Sequence, residues 1–254
     1  MDDPTANIAK LEATFSGLFL DVMRESKSQE QTRREVDYVE MLLDLTSPAS
    51  LLDVPCGNGR IAVELAARGY RVTGIDIAQP SLDYARRAAG ERGLSARFSA
   101  EYRDMRDLPW TAEFDAACCL WESFGYFDDA GNLAFLRAVA GALKPGGGLI
   151  LDTHVTETLL PRLAARDWEK LGDETLVLEE RKYDHEAGTV TRHWFFIHDG
   201  RVEERSLTSR LYSYRELVRM LQAAGFDRCQ GYTWLSIVPF ALGAPRLVMT
   251  AVKA

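Results

Sequence analysis

Between Leu51 and Arg60 the chain reads Leu-Leu-Asp-Val-Pro-Cys-Gly-Asn-Gly-Arg, an apolar run that ends in an acid and passes into a glycine-containing turn. Asp53 puts a carboxylate at the tip of a short strand, and Gly57 and Gly59 let the backbone turn tightly and approach a ligand closely. A helix-like stretch, Ile61 to Arg68, leads through Gly69 to a second apolar run, Arg71 to Ile75, which ends in Asp76. An acid beyond the second strand of such a strand–helix–strand unit can accept hydrogen bonds from ribose hydroxyls, so the expected ligand is a nucleoside. Its other end is expected to be cationic. A dinucleotide loop carries a third glycine where its helix packs close, whereas here Gly59 is followed by Arg60, Ile61 and Ala62. Asp53 would also repel a pyrophosphate and attract an ammonium group.

In these residues the chain resembles the class I S-adenosylmethionine-dependent methyltransferases. The run Asp53 to Arg60 is similar to their first motif, Asp76 to the ribose-binding acid, and Asp104-Met105 to the adenine-binding pair after the third strand. Phe114 to Leu120 resembles their fourth strand, and Leu143 to Asp152 the turn into the fifth. The resemblance implies S-adenosylmethionine as cofactor and an α/β, Rossmann-like fold: a mostly parallel seven-stranded sheet with helices on both faces. It also implies roles. Asp53, Pro55, Gly57, Asn58 and Gly59 would face the methionine part, and Arg60 would meet its carboxylate or solvent. Asp76 would bind the ribose and Ile77 pack on the adenine. Asp104 would accept from the adenine amino group while the Met105 backbone meets the ring, and Leu120 and Trp121 would leave strand four beside the methyl group. The implied activity is methyl transfer to an oxygen or nitrogen of a small-molecule acceptor. Two alternatives stand beside it. A nicotinamide-dependent oxidoreductase of the short-chain type pairs a Tyr with a Lys four residues later, and none of the nine Tyr has that Lys. A non-catalytic S-adenosylmethionine-binding protein would keep the same motifs, and only turnover separates it.

The acceptor side is less legible. Glu122, in the segment after the fourth strand, can orient an amine or stand in solvent. His154, at the tip of the fifth strand, suits a general base by its titration range and position, or a hydrogen-bonded structural role. Farther on, His193 shares a strand face with Phe195 and Ile197, while Arg192, Trp194, Phe196 and His198 share the other. Trp121, His154 and His193 are expected to face one cavity, with His154, Glu122 and His193 as the catalytic candidates. No metal is expected, because His193 and His198 point to opposite faces and no acidic cluster accompanies them.

These groups need a scaffold, and the apolar periodicity supplies one. At 254 residues the chain can bury one sizeable core. Strands near residues 50–54, 72–75, 96–100, 114–120 and 148–154 alternate with helices, which predicts a parallel sheet whose ligand lies at the carboxyl ends of the strands. Residues 1–46 read as two helices, Thr5 to Val22 and Gln29 to Leu45, either an extra layer packed on the sheet or a helical lid over the cofactor, with Phe15, Phe19, Arg33 and Arg34 as the side chains that would reach the site in a lid. Residues 47–254 form the methyltransferase-like domain, with an inserted antiparallel β unit at about 172–212. That unit comprises three runs, Leu176 to Asp184, Thr189 to His198 and Arg201 to Leu211, with an Asp199-Gly200 hairpin, and offers a surface for a homodimer. A net charge of −8 argues against a broad nucleic-acid surface. Cys56, Cys118, Cys119 and Cys229 lack metal spacing and suit reduced core thiols. With no basic flank or long apolar run at the N-terminus, neither a signal peptide nor a membrane span is expected, and the location is expected to be cytoplasmic.

Overall fold

The computed structural model describes residues 4–25, 27–171 and 174–254. Positions 1–3 and 172–173, where the lid and the inserted unit were expected to begin, lie outside the described residues. Three helices come first, α1 (Pro4–Thr14), α2 (Leu18–Glu25) and α3 (Gln29–Leu43). Then β1 (Ser50–Asp53), α4 (Arg60–Ala67), β2 (Arg71–Asp76), α5 (Gln79–Glu91), β3 (Phe98–Tyr102), β4 (Phe114–Cys119), α6 (Asp129–Ala142) and β5 (Leu143–Thr153) alternate. A short α7 (Thr156–Leu159) precedes four consecutive strands, β6 (Arg166–Leu171), β7 (Thr175–Asp184), β8 (Thr189–His198) and β9 (Arg201–Arg210). The chain closes with α8 (Tyr214–Ala224), β10 (Phe226–Thr233) and β11 (Leu247–Lys253).

The main sheet has seven strands in the order β10-β11-β5-β4-β1-β2-β3, parallel from β5 to β3 and antiparallel where β11 joins β5 and β10. Its central strands are apolar on both faces because helices cover both. Leu51 and Leu52 of β1, Cys118 and Cys119 of β4 and Leu149 to Leu151 of β5 are all fully buried. The predicted alternation of strands and helices is therefore what the chain adopts. No helix among the described residues is long and apolar enough to cross a membrane.

Two sequence expectations are corrected. The segment expected as one helix from Thr5 to Val22 is two, broken at an elbow where Gly17 has φ +62°. Contacts to β9 pin this elbow: Leu18 N–H donates to Glu203 Oε2 at 3.1 Å, Arg205 Nη2 donates to the Ser16 carbonyl at 3.1 Å, and the Thr14 hydroxyl donates to the Ser206 carbonyl at 3.0 Å. A left-handed residue ends a helix, and glycine adopts it at no steric cost. The inserted sheet, in turn, has four strands in the order β6-β7-β8-β9 and starts at Arg166, not near 172. Arg-Asp-Trp-Glu-Lys-Leu carries no apolar alternation because β6 is an exposed edge, where charge discourages pairing with other chains. The Asp199-Gly200 turn forms as expected, with positive φ at both residues and His198 opposite Arg201.

Candidate functional site

A cavity of about 230 Å³ opens at the carboxyl ends of β1 and β2, bounded by the segments that follow β3 and β4 and roofed by α1 and α2. Eleven of the twelve residues expected to hold a cofactor line it; Gly59 does not. The two loop glycines do different jobs. Gly57 has φ +52°, and a Cβ built there would meet nothing within 4 Å, so its open side faces the cavity. Gly59 has φ +75°, and its Cβ would stand 2.6 Å from the Ala85 Cβ of α5. The expectation that Gly59 admits a ligand is thus corrected: it admits a neighbouring helix.

Asp76 braces this loop from the tip of β2. Its Oδ2 accepts from Gly57 N–H and its Oδ1 from Ala78 N–H, both at 2.8 Å. Burial pushes its carboxyl up against the pull of those bonds. Asp53, 3% exposed at the tip of β1, is pushed up to about 7 by burial, an effect that Arg60 opposes and Asp76 reinforces. Two adjacent carboxyls in a dry wall disfavour carrying charge alone, and together they favour a ligand that brings a cation and hydroxyl donors. Asp104 lies at the far end and is forked by Arg106, whose Nη2 is 2.6 Å from Asp104 Oδ2. Beside it sit buried Met105 and, after β2, Ile77.

Arg60 is not free. Its Nη2 pairs with Glu35 of α3, and its Nη1 donates to the Thr32 hydroxyl at 2.9 Å. Glu35 is 1% exposed and also accepts from Trp121 Nε1 at 3.2 Å and from Gln31 Nε2 at 3.1 Å. This clasp ties the N-terminal helices to the site, and it was not anticipated. The available signal was an acid beside Val36 and Val39 on the buried side of α3. Arg33 and Arg34, expected to reach the site, are exposed instead. A second unanticipated cation, Lys27, lines the cavity with its Nζ 4.6 Å from the Trp121 ring, and among the described residues no carboxylate pairs with it.

Of the three catalytic candidates, Glu122 and His154 meet each other and His193 lies apart from both. Trp121 and Glu122 both have left-handed backbone, φ +63° and +59°, and the Trp121 N–H is held by Asp152 of β5. The turn sends the Trp121 ring into the large cavity and Glu122 away from it, into a separate void of about 20 Å³ shared with His154. There Glu122 meets His154 Nε2 at 3.2 Å, both Arg192 Nη atoms at 3.1 Å and Arg246 Nη1 at 3.5 Å. Burial would raise the Glu122 carboxyl, but the His154 hydrogen bond and the surrounding cations hold it well below the usual carboxylate range. Asp152, fully buried and 2.9 Å from Arg246 Nε, is pushed up to about 7, mainly by burial. His193 is on the outer face of β8, its ring tilted against Phe195 at 4.7 Å and 3.5 Å from Glu204. Strand alternation turns it away from Trp194 and Phe196, the side chains that pack toward α2. The expected shared cavity of Trp121, His154 and His193 is therefore absent among the described residues.

A family model described as a methyltransferase domain matches residues 51–147, the stretch that carries Asp53, Asp76, Asp104 and Trp121. The ubiquinone biosynthesis O-methyltransferase of Xanthomonas oryzae is 38% identical over 122 residues, covering 46% of this chain and 48% of that protein. The match thus spans about half the length of that relative. Among solved structures, the CcbJ methyltransferase of Streptomyces caelestis superposes with a TM-score of 0.80 at 20% identity, over 96% of this chain and 99% of that one. The sugar N-methyltransferase KedS8 of a Streptoalloteichus species gives 0.69 at 23% identity, over 94% and 93%. At such identities the two structures share the fold.

Proposed function

We propose that this chain, which belongs to the class I S-adenosylmethionine-dependent methyltransferases, transfers a methyl group to an oxygen or nitrogen of a small molecule. The observation that carries the reading is the pair of buried carboxyls, Asp53 and Asp76, flanking the open side of Gly57. Bound there, S-adenosylmethionine would supply a methyl carbon activated as a sulfonium, open to displacement by an acceptor lone pair, with the carbon–sulfur electron pair leaving on sulfur and the acceptor's proton passing to water. The protein's contribution is to place the two reactants, which can supply much of the acceleration for such an in-line displacement.

In this reading Asp53 receives the ammonium group, which restores its charge. Asp76 uses its remaining lone pairs for the ribose hydroxyls, and Ile77 and Met105 flank the adenine, with Asp104 held ready by Arg106. Lys27 takes the cofactor carboxylate, because the Arg60 guanidinium is already committed to Glu35 and Thr32. Glu122 and His154 are positioning groups that fix the loop after β4; neither reaches the large cavity. The oxygen acceptor draws on the matched O-methyltransferase, and nitrogen stands beside it because an amine lone pair can be placed for the same in-line displacement. The chain's acidity suits a small acceptor over nucleic acid, and its unpaired thiols suit the cytoplasm.

Titration calorimetry with S-adenosylhomocysteine tests the reading. The parent protein is expected to bind it in preference to NADH, and Asp76→Ala to weaken binding by about 1–3 kcal/mol, the loss of a charged hydrogen-bond partner. Preference for NADH would overturn it. Transfer of labelled methyl to a panel of phenols and amines then separates an enzyme from a protein that only binds the cofactor.

A further inference from the structure

The large cavity has two chemically different halves. One is the row of polar strand tips from Asp53 to Asp104. The other is walled by the elbow between α1 and α2 and by the segment after β4, and it is aromatic. Phe15 lies edge-on to Phe19 at 5.3 Å and tilted to Tyr126 at 5.5 Å. Phe19 in turn packs on Phe196 at 5.8 Å and Trp194 at 6.0 Å, so the inserted sheet buttresses this wall from behind. Phe15, Phe19 and Tyr126 all line the cavity and are only half-buried. The hydroxyls on this side belong to Ser123 and Tyr126. Burial pushes the Tyr126 phenol up, so it remains a neutral hydroxyl. The catalytic candidates Glu122 and His154 face the other void and are engaged with each other.

Two consequences follow for whatever occupies the aromatic half. A polyhydroxylated ring would lose its water there and find few partners, whereas a flat apolar ring would gain offset and edge-to-face contacts. The carboxylates that line the cavity, Asp53, Asp76 and Asp104, are the ones assigned to the cofactor above, and with Glu122 and His154 turned to the other void the attacking atom must ionise readily by itself or carry a free lone pair. We infer that the acceptor is a planar aromatic molecule bearing an acidic hydroxyl or an aryl amine, clasped by Phe15, Phe19 and Tyr126, and not a sugar. This rests on the methyltransferase reading above and narrows it. It also separates the chain from the sugar N-methyltransferase whose fold it shares.

The test uses the full-length protein saturated with S-adenosylhomocysteine and three probes: 7-hydroxycoumarin, 2-naphthylamine and glucosamine, each titrated by calorimetry, with coumarin fluorescence as a second readout. At least one aromatic probe is expected to bind, and glucosamine to bind more weakly than both or not at all. Phe15→Leu and Phe19→Leu, which keep apolar bulk and remove the rings, are expected to weaken the aromatic probe on the order of 10-fold while leaving S-adenosylhomocysteine affinity unchanged, which also shows that the variants fold. Stronger binding of glucosamine, no binding of either aromatic probe by a protein that does bind S-adenosylhomocysteine, or unchanged probe affinity in both Leu variants would each overturn the inference. Failure of the parent protein to bind S-adenosylhomocysteine would instead bring down the methyltransferase reading, and this inference with it.

Discussion

Removing Glu35 tests whether the clasp on the N-terminal helices holds the site together. In the folded protein Glu35 is 1% exposed and accepts from Arg60, Trp121 Nε1 and Gln31 Nε2. Glu35→Ala would leave the Arg60 guanidinium, 16% exposed, with the Thr32 hydroxyl as its hydrogen-bond partner and the Trp121 ring beneath it. Breaking one side of a buried pair costs roughly 3–5 kcal/mol, and because Arg60 borders an open cavity that water can enter, the expectation sits near the low end, about 3 kcal/mol. For a chain of this size about 1 kcal/mol moves Tm by roughly 2–4 °C, so a fall of about 6–12 °C is expected in calorimetry. Glu35→Gln keeps an acceptor for Trp121 and should lose about half as much. Arg60→Met made on top of Glu35→Ala removes the stranded cation and should recover part of the loss, a coupling read from the double-mutant cycle. A Tm for Glu35→Ala within about 2 °C of the parent, or strictly additive losses in the double variant, would refute the reasoning.

Asp53 carries a pH signature. Its folded carboxyl titrates near 7 and its unfolded one near ~4, so from about pH 4 to 7 the folded state holds a proton that the unfolded state releases, and stability falls as pH rises through that window. Asp53→Asn removes the titration: its stability advantage over the parent should grow with pH, reaching roughly 2–4 kcal/mol by pH 8 in urea melts, while S-adenosylhomocysteine affinity drops. An advantage independent of pH would count against the assignment. The two loop glycines should behave oppositely, Gly57→Ala losing ligand affinity with about 1 kcal/mol of stability, Gly59→Ala losing about 1–3 kcal/mol of stability through the clash with Ala85 while keeping affinity in whatever fraction folds. Reversal of that pattern in paired melts and titrations would show the loop is read wrongly. His154→Ala should cost about 1 kcal/mol through its bond to Glu122 and leave S-adenosylhomocysteine binding intact; a large affinity loss would move His154 back to the binding cavity.

Much of this protein was legible along the chain, because the physics involved is local. Continuous apolar runs at strand length, separated by amphipathic helices, force a parallel sheet covered on both sides. An acid or a glycine at a strand tip then has nowhere to be except the ligand edge of that sheet. Asp53, Gly57 and Asp76 could be placed for that reason, Asp104 only through the resemblance to the family's adenine-binding pair, and the Asp199-Gly200 hairpin because its two residues tolerate positive φ. What the sequence left undecided is where side chains meet across long separations. Trp121 reaches Glu35 across 86 positions, Arg246 reaches Glu122 across 124, and Thr14 reaches Ser206 across 192. These contacts decide that Arg60 faces Glu35, that Glu122 and His154 face each other, and that Phe15 and Phe19 close the cavity. Periodicity assigns a residue to a face of its own helix or strand, but only packing decides what that face meets, and an exposed charged edge such as β6 has no burial to leave a period in the sequence at all.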